Sequence, residues 1–256
     1  MTTRSTVLIA AAFAVTLSAC AGGGQRRGPP PEVINRALST APGAAQPSAI
    51  VATEVAYLRD AREQGQFTAG GQYAAPGALL HSRDGPVVFA TVASALDDSD
   101  GVEEWGPRTV VMSCDGAVAL SVGRFRDQEG LVGNYVTTWA RQPDNSYKWT
   151  YDVAGLDDPQ PPPRRQFEDG DIVVTAIDSI LGLVATCPRR GEELPPPPAI
   201  PLGEDGKGDA QLSRDGTLRW RWEHRDDGVK YVTADYFYEG EWVTAFEESL
   251  ASPPEE

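Results

Sequence analysis

The chain has only two histidines, His81 and His224, and three cysteines, Cys20, Cys114 and Cys187, so its nucleophile and metal chemistry is quickly bounded. His81 is followed by Ser82 and Asp84, the residue types of an acyl-transfer site. Neighbouring residues on a strand point to opposite faces, and no Gly-x-Ser-x-Gly elbow is present to expose a serine. A polar strand end explains the same residues. What survives is His81 as a lone base in a pocket. Asp97-Asp98-Ser99-Asp100-Gly101, with Glu103 and Glu104 behind it, has the acidity of a calcium loop. Placing Gly101 at the invariant glycine of such a loop puts Leu96 at the first ligand position and Pro107 at the last, and neither is a ligand. A solvated acidic loop is the expectation. The histidines and cysteines do not make up a zinc set, and no glycine-rich loop joins a strand to a helix to cradle phosphate. No metal and no cofactor are expected.

Two aromatic sets remain. Tyr73, Tyr135, Trp139, Trp149 and Tyr151 either line a pocket for a ring-bearing or acyl ligand, with His81 beside them, or fill a core. Trp220, Trp222, Tyr236, Tyr238 and Trp242 either form a protein-binding face, where aromatics are favoured, or pack inward.

The elements that position these residues follow from pattern. Ser48 predicts a helix cap, and Gly65 predicts the stop after Gln64. Val51, Val55 and Leu58 share one helical face. A second helix is predicted over 67–73, a short strand over 78–81 and a third helix over 87–96. Four strands follow, at 108–114, 117–125, 131–141 and 147–153. Asp115-Gly116 signals a two-residue hairpin, and Pro143-Asp144-Asn145-Ser146 a turn. In the last strand Tyr147, Trp149 and Tyr151 alternate with Lys148, Thr150 and Asp152, so the aromatics face a core or a cavity and Asp152 faces water. Strand is also read over 171–175, with a continuation toward Cys187. A meander is read at 217–224, 230–238 and 241–246. No internal repeat is apparent.

The 256 residues carry 22 Lys and Arg against 37 Asp and Glu, a formal charge of −15. That charge repels phosphate backbones and anionic headgroups, so nucleic acid is not an expected partner. Hydrophobic content is 41 %, and the 21 prolines and 26 glycines, clustered in linkers, explain the low value. Residues 7–17 form an apolar run behind Arg4. The run is shorter than the ~20 residues of a membrane-spanning helix, and it has the layout of a secretory signal. It ends Leu17-Ser18-Ala19-Cys20, which resembles the bacterial lipobox. The resemblance implies cleavage before Cys20 and acylation of its sulfur, giving the more than one fatty chain that stable anchoring needs. An ordinary exported protein cut near Ala19 is the alternative. In lipoproteins an aspartate after the cysteine favours inner-membrane retention. Ala21 in that place implies the outer membrane, facing the periplasm. Cys114 and Cys187 then remain in an oxidising compartment, which favours one disulfide over two buried free thiols.

Helix, helix, short strand, helix and four antiparallel strands resemble the nuclear transport factor 2-like fold, whose members include ketosteroid isomerase and the SnoaL-like cyclases. The local resemblance rests on Met112-Ser113-Cys114-Asp115-Gly116, on residues 135–144 and on Tyr147-Lys148-Trp149. It implies an α+β domain, with helices packed in the concave face of a curved antiparallel sheet to form a cone. A C-terminal antiparallel β-meander lies outside the match. The resulting organisation is a signal over 1–19, a lipidated tether over 20–47 and the α+β domain over 48–155. A Pro-rich linker follows over 156–170, then a β-rich extension over 171–250 with a Pro-rich loop at 191–208, and a disordered tail over 251–256. The acid, tyrosine and protonated acid of the isomerases find no match in the sequence, and Val153 stands where uncharacterised relatives often carry a histidine. The expected function is therefore non-catalytic binding or scaffolding, of a small apolar ligand or an envelope protein. An isomerase- or cyclase-type enzyme is the alternative. The resemblance also allows a homodimer through the open sheet face.

Overall fold

Pro47 sets the start of the first helix because its fixed φ suits the first turn and its missing N–H is not needed there. Helix α1 (Pro47–Gln64) is preceded by Gln46, whose side chain makes no cap bond. Ser48 therefore lies inside the helix rather than capping it. Gly65, at φ 101°, ends it as expected. The computed structural model of the chain describes residues 44–96, 98, 101–162, 179–189, 191–199 and 207–252. Cys20, residues 20–43 of the tether and residues 171–175 lie outside the described residues, and Pro47, read as the last residue of the tether, is already helical. The stripe that α1 buries is Ile50, Glu54 and Ala61, not the Val51–Val55–Leu58 face, and Val55 is 62 % exposed.

Helix α2 (Gln66–Tyr73) is capped from a distance. The Asp98 carboxylate accepts bonds from the Phe67 N–H at 2.6 Å and the Thr68 N–H at 3.2 Å. At least this member of the acidic loop is engaged rather than solvated. Strand β1 (Ala74–Ser82) is longer than the predicted strand. The predicted third helix divides into β2 (Gly85–Val88) and α3 (Phe89–Ala95).

Strands β3 (Glu104–Met112), β4 (Val118–Arg126), β5 (Val132–Arg141) and β6 (Tyr147–Leu156) run antiparallel in sequence. Strand β1 joins β6 in parallel, and β7 (Leu181–Val184) joins β3 in parallel. The seven-stranded sheet, ordered β2-β1-β6-β5-β4-β3-β7, is thus mixed rather than wholly antiparallel. Strands β8 (Gly208–Leu212), β9 (Leu218–His224), β10 (Lys230–Tyr238) and β11 (Glu241–Leu250) form a second, antiparallel sheet. Among the described residues the chain is mostly β, with few helices.

Alternation in the central strands separates two cores. Ala119, Trp139, Tyr147 and Trp149 meet Ile50 and Phe89 on the helical side. Leu120, Val136, Tyr151 and Val153 meet Leu218, Trp220, Trp222 and Val232 of the second sheet. The meander therefore covers the sheet face through which the resemblance would place a dimer. Trp220, Trp222 and Tyr236 are core, whereas Tyr238 is 45 % exposed.

Two local devices shape the middle sheet. Thr138 pairs with Tyr151 and Trp139 with Trp149, so Thr150 is one residue too many on β6. Such a bulge reverses the side-chain parity beyond it. Glycines also sit opposite aromatics across the ladder, Gly123 against Tyr135 and Gly133 against Phe125. A Cβ on Gly123 would stand 2.2 Å from the Gly106 carbonyl oxygen and 2.6 Å from the Tyr135 ring.

The turns hold an echo that the sequence reading missed. Ser113-Cys114-Asp115-Gly116 and Ser213-Arg214-Asp215-Gly216 fold alike. In each, serine N–H bonds five residues on, and serine Oγ donates to the aspartate at 2.7 and 2.6 Å. The aspartate also accepts the N–H two residues later, at 2.8 and 3.1 Å. The hairpin therefore closes across Ser113 and Val118, not as a two-residue turn. The two turns pack together: Cys114 N–H donates to Thr217 Oγ1 at 3.0 Å, and Asp115 N–H donates to Asp215 Oδ2 at 2.9 Å. Cys114 and Cys187 are disulfide-bonded, joining the first turn to the chain beyond β7.

Candidate functional site

Between α1 and the helical side of β4, β5 and β6 lies a cavity of about 110 Å³. Its walls are mainly aromatic, with Tyr57, Phe89, Trp105, Tyr135, Trp139 and Trp149 all contributing. Three carboxyl groups, Glu54, Glu103 and Asp152, also line it. Trp105 and Phe125 are shared with a wider groove of about 670 Å³, so these two rings stand between the cavity and the outside.

Glu54 is 2 % exposed. Tyr135 donates its hydroxyl proton to Glu54 Oε2 at 2.5 Å. Burial pushes the Glu54 carboxyl up to about 7, against the opposing pull of Ser121 and Tyr135, because the charged form loses its water. The same burial, with Glu54 alongside, raises the Tyr135 phenol, so Tyr135 stays a donor. Asp152 accepts the Thr137 hydroxyl at 2.5 Å, and loss of hydration raises it to about 6. Glu103 is raised for the same reason. Trp139 Nε1–H donates to Ser121 Oγ at 2.9 Å, which fixes that indole. Among the described residues, two buried polar atoms of the wall, Glu54 Oε1 and Trp149 Nε1, find no hydrogen-bond partner.

Of the residues singled out by sequence, Tyr135, Trp139 and Trp149 line this cavity and three others do not. Tyr73 lies outside it, donating to Asp60 Oδ2 at 2.7 Å and stacking on Tyr57 at 4.8 Å. Tyr151 lies beyond the bulge, so it faces the second sheet and packs 5.1 Å from Trp220. His81 also sits on that side. Its Nδ1 is 2.5 Å from the Tyr151 hydroxyl and its Nε2 is 3.0 Å from His224 Nδ1. Burial, with His224 and Lys230 nearby, pushes the His81 imidazole down to about 3, so it remains neutral. It is a core histidine between two sheets, not the base of a pocket.

Glu54 and Asp152 were missed for identifiable reasons. Glu54 occupies an apolar stripe, Ile50-Glu54-Tyr57-Ala61, at the 4-3-4 spacing of one helix face. A charged residue in such a stripe is the available signal. Asp152 was assigned to solvent by strict alternation, and the bulge at Thr150 turns it inward. Among the described residues no cluster of three or more His, Cys, Asp and Glu is placed to hold a metal ion.

No family model matches this chain, and no curated protein matches it. Among solved structures, it is similar to a nuclear transport factor 2 (NTF2-like) superfamily protein from Salmonella enterica subsp. enterica serovar Typhimurium str. LT2. The identity is 12 % and the TM-score 0.34, over 49 % of this chain and 96 % of that one.

Proposed function

We propose that this chain is a lipid-anchored envelope protein whose cavity binds a small, mainly apolar molecule carrying one hydrogen-bonding end. The observation that carries the ligand reading is the pair of unpartnered buried atoms, Glu54 Oε1 and Trp149 Nε1, in the cavity's wall residues. A buried polar atom left unpaired costs about 1–3 kcal/mol, and a ligand with an acceptor for the indole and a group for the carboxyl would offset that cost. An apolar cavity of about 150 Å³ admits benzene. A cavity of about 110 Å³ fits a smaller molecule, or one limb of a larger one lying in the adjoining groove. The nuclear transport factor 2-like assignment rests on the element order α1-α2-β1-β2-α3 and the antiparallel run β3 to β6.

Anchoring at the outer membrane, facing the periplasm, rests on Leu17-Ser18-Ala19-Cys20 and Ala21. The Cys114–Cys187 disulfide suits an oxidising compartment. The test is mass spectrometry of native protein taken from its own envelope. The expected result is a diacylated or triacylated Cys20 and a small molecule bound one-to-one, the latter lost in Ala154→Met, because Ala154 lines the cavity and a longer side chain there fills it. An unmodified Cys20 overturns the anchor, and equal binding by Ala154→Met overturns the site.

A second reading is favoured by one observation, a carboxyl raised to about 7 beside a tyrosine. Near neutral pH such a group both takes and gives protons. Glu54 would remove a proton from the carbon next to a carbonyl and return it elsewhere on the same molecule, the isomerase-type step. Deuterium uptake from D2O into a small cyclic enone, lost in Glu54→Gln, supports this reading. Equal uptake with and without Glu54 rules it out.

A further inference from the structure

We infer that the outer face of the four-stranded sheet is a recognition surface for a proline-rich segment of a partner protein, and that the chain's own residues 195–198 occupy it in cis. The outer face is the side of β9, β10 and β11 turned away from the seven-stranded sheet. There Trp242 Nε1–H donates to the Pro195 carbonyl at 2.9 Å. Arg219 Nη1–H donates to the Pro198 carbonyl. Residues 195–198 are four consecutive prolines, which favour polyproline II. That helix repeats every three residues, so the carbonyls of 195 and 198 point the same way, on the order of 9 Å apart. Donors at both ends of one repeat read the conformation rather than any side chain.

The donors are held ready. Arg219 is 8 % exposed and is locked by a 2.5 Å ion pair with Asp235 Oδ2. Its guanidinium lies 5.9 Å from the Trp242 ring centre, and Trp242 meets Phe237 edge-on at 6.2 Å. Thr244 donates to the other Asp235 oxygen at 2.8 Å, which fixes the carboxylate. Aromatic-lined surfaces are how proline-rich peptides are read in general, and a polyproline strand, having no internal hydrogen bonds, leaves its carbonyls open to donors such as the Trp242 indole and the Arg219 guanidinium. The segment in cis shows the chemistry the face accepts. Pro195, Pro196 and Pro198 are exposed, so the segment is a surface strap rather than a core element.

A tethered strap acts at an effective concentration in the millimolar range, so the intact chain is closed to micromolar peptide. The experiment uses the full chain, a synthetic peptide copying residues 192–199, and a control peptide with glycine for each proline. In a variant with Pro195→Gly, Pro196→Gly, Pro197→Gly and Pro198→Gly, calorimetry is expected to show binding at least about tenfold tighter than to the unchanged chain. The indole N–H resonance of Trp242 should shift, and Trp242→Phe in the same background should abolish the effect. If that variant does not fold by circular dichroism, millimolar peptide added to the unchanged chain must still move the Trp242 indole resonance while the control peptide does not. A folded variant that ignores the peptide, an unmoved indole resonance at millimolar peptide, or equal binding of the control overturns the proposal. So does peptide-independent self-association of the variant, which would give the face to a second copy.

Discussion

Glu54 sits where a leucine would be expected, and its pKa links the site to the stability of the fold. A carboxyl raised from 4.5 to about 7 keeps its proton longer in the folded state than in the unfolded one. The folded state is therefore favoured fully below pH 4.5, and that advantage is lost as pH rises to about 7, where folded Glu54 ionises. The loss is on the order of 3 kcal/mol. Asp152, raised to about 6, acts in the same direction. Urea denaturation should show the chain losing stability between pH 5 and 8, and Glu54→Gln should flatten much of that slope and be the more stable protein at pH 8. An unchanged slope in Glu54→Gln would mean that the carboxyl is hydrated. Tyr135 donates to the ionised form, so Tyr135→Phe should move the Glu54 titration further up, with little change in global fold by circular dichroism.

At the scale of elements, glycines on β4 and β5 lie under two of the aromatic rings that line the cavity, Tyr135 and Phe125. Gly123→Ala would drive a methyl group into the Gly106 carbonyl and the Tyr135 ring. The expected cost is about 1–3 kcal/mol, read as a lower thermal midpoint, with a displaced Glu54 titration because Tyr135 must move. A Gly123→Ala protein with both unchanged would show that the strands tolerate ordinary curvature there. The strand pattern itself was largely legible: β10 has the predicted bounds, and β4, β5 and β9 begin or end within a residue or so of them. Alternation and turn residues are local, and these strands obey them. The bulge at Thr150 was not legible, because an extra residue in a ladder is set by the partner strand and not by the sequence around it. One bulge misplaced both Tyr151 and Asp152. The face of α1 was misread for a related reason: Val55 looks like core, yet tertiary packing buries Glu54 instead. Of the candidate site, Tyr135, Trp139 and Trp149 could be read in advance, Glu54 left a signal as a charge in an apolar helical stripe, and Asp152, behind the bulge, could not be read.

Among the described residues two sheets and a helical layer share their buried surfaces, and the Cys114–Cys187 disulfide links positions 73 residues apart, from the turn before β4 to the chain beyond β7. Chain entropy assigns such a closure about 4 kcal/mol. Reduction should lower the denaturation midpoint accordingly, and a reduced chain of equal stability would mean that packing alone holds the β7 segment. The central claim is that this assembly shelters an acid–base pair from water in a cavity meant for a ligand. Its most direct test is a carbon-13 NMR titration of the Glu54 side-chain carboxyl in the full chain. The account predicts a midpoint near 7, and a midpoint at the ordinary 4.5 would contradict it.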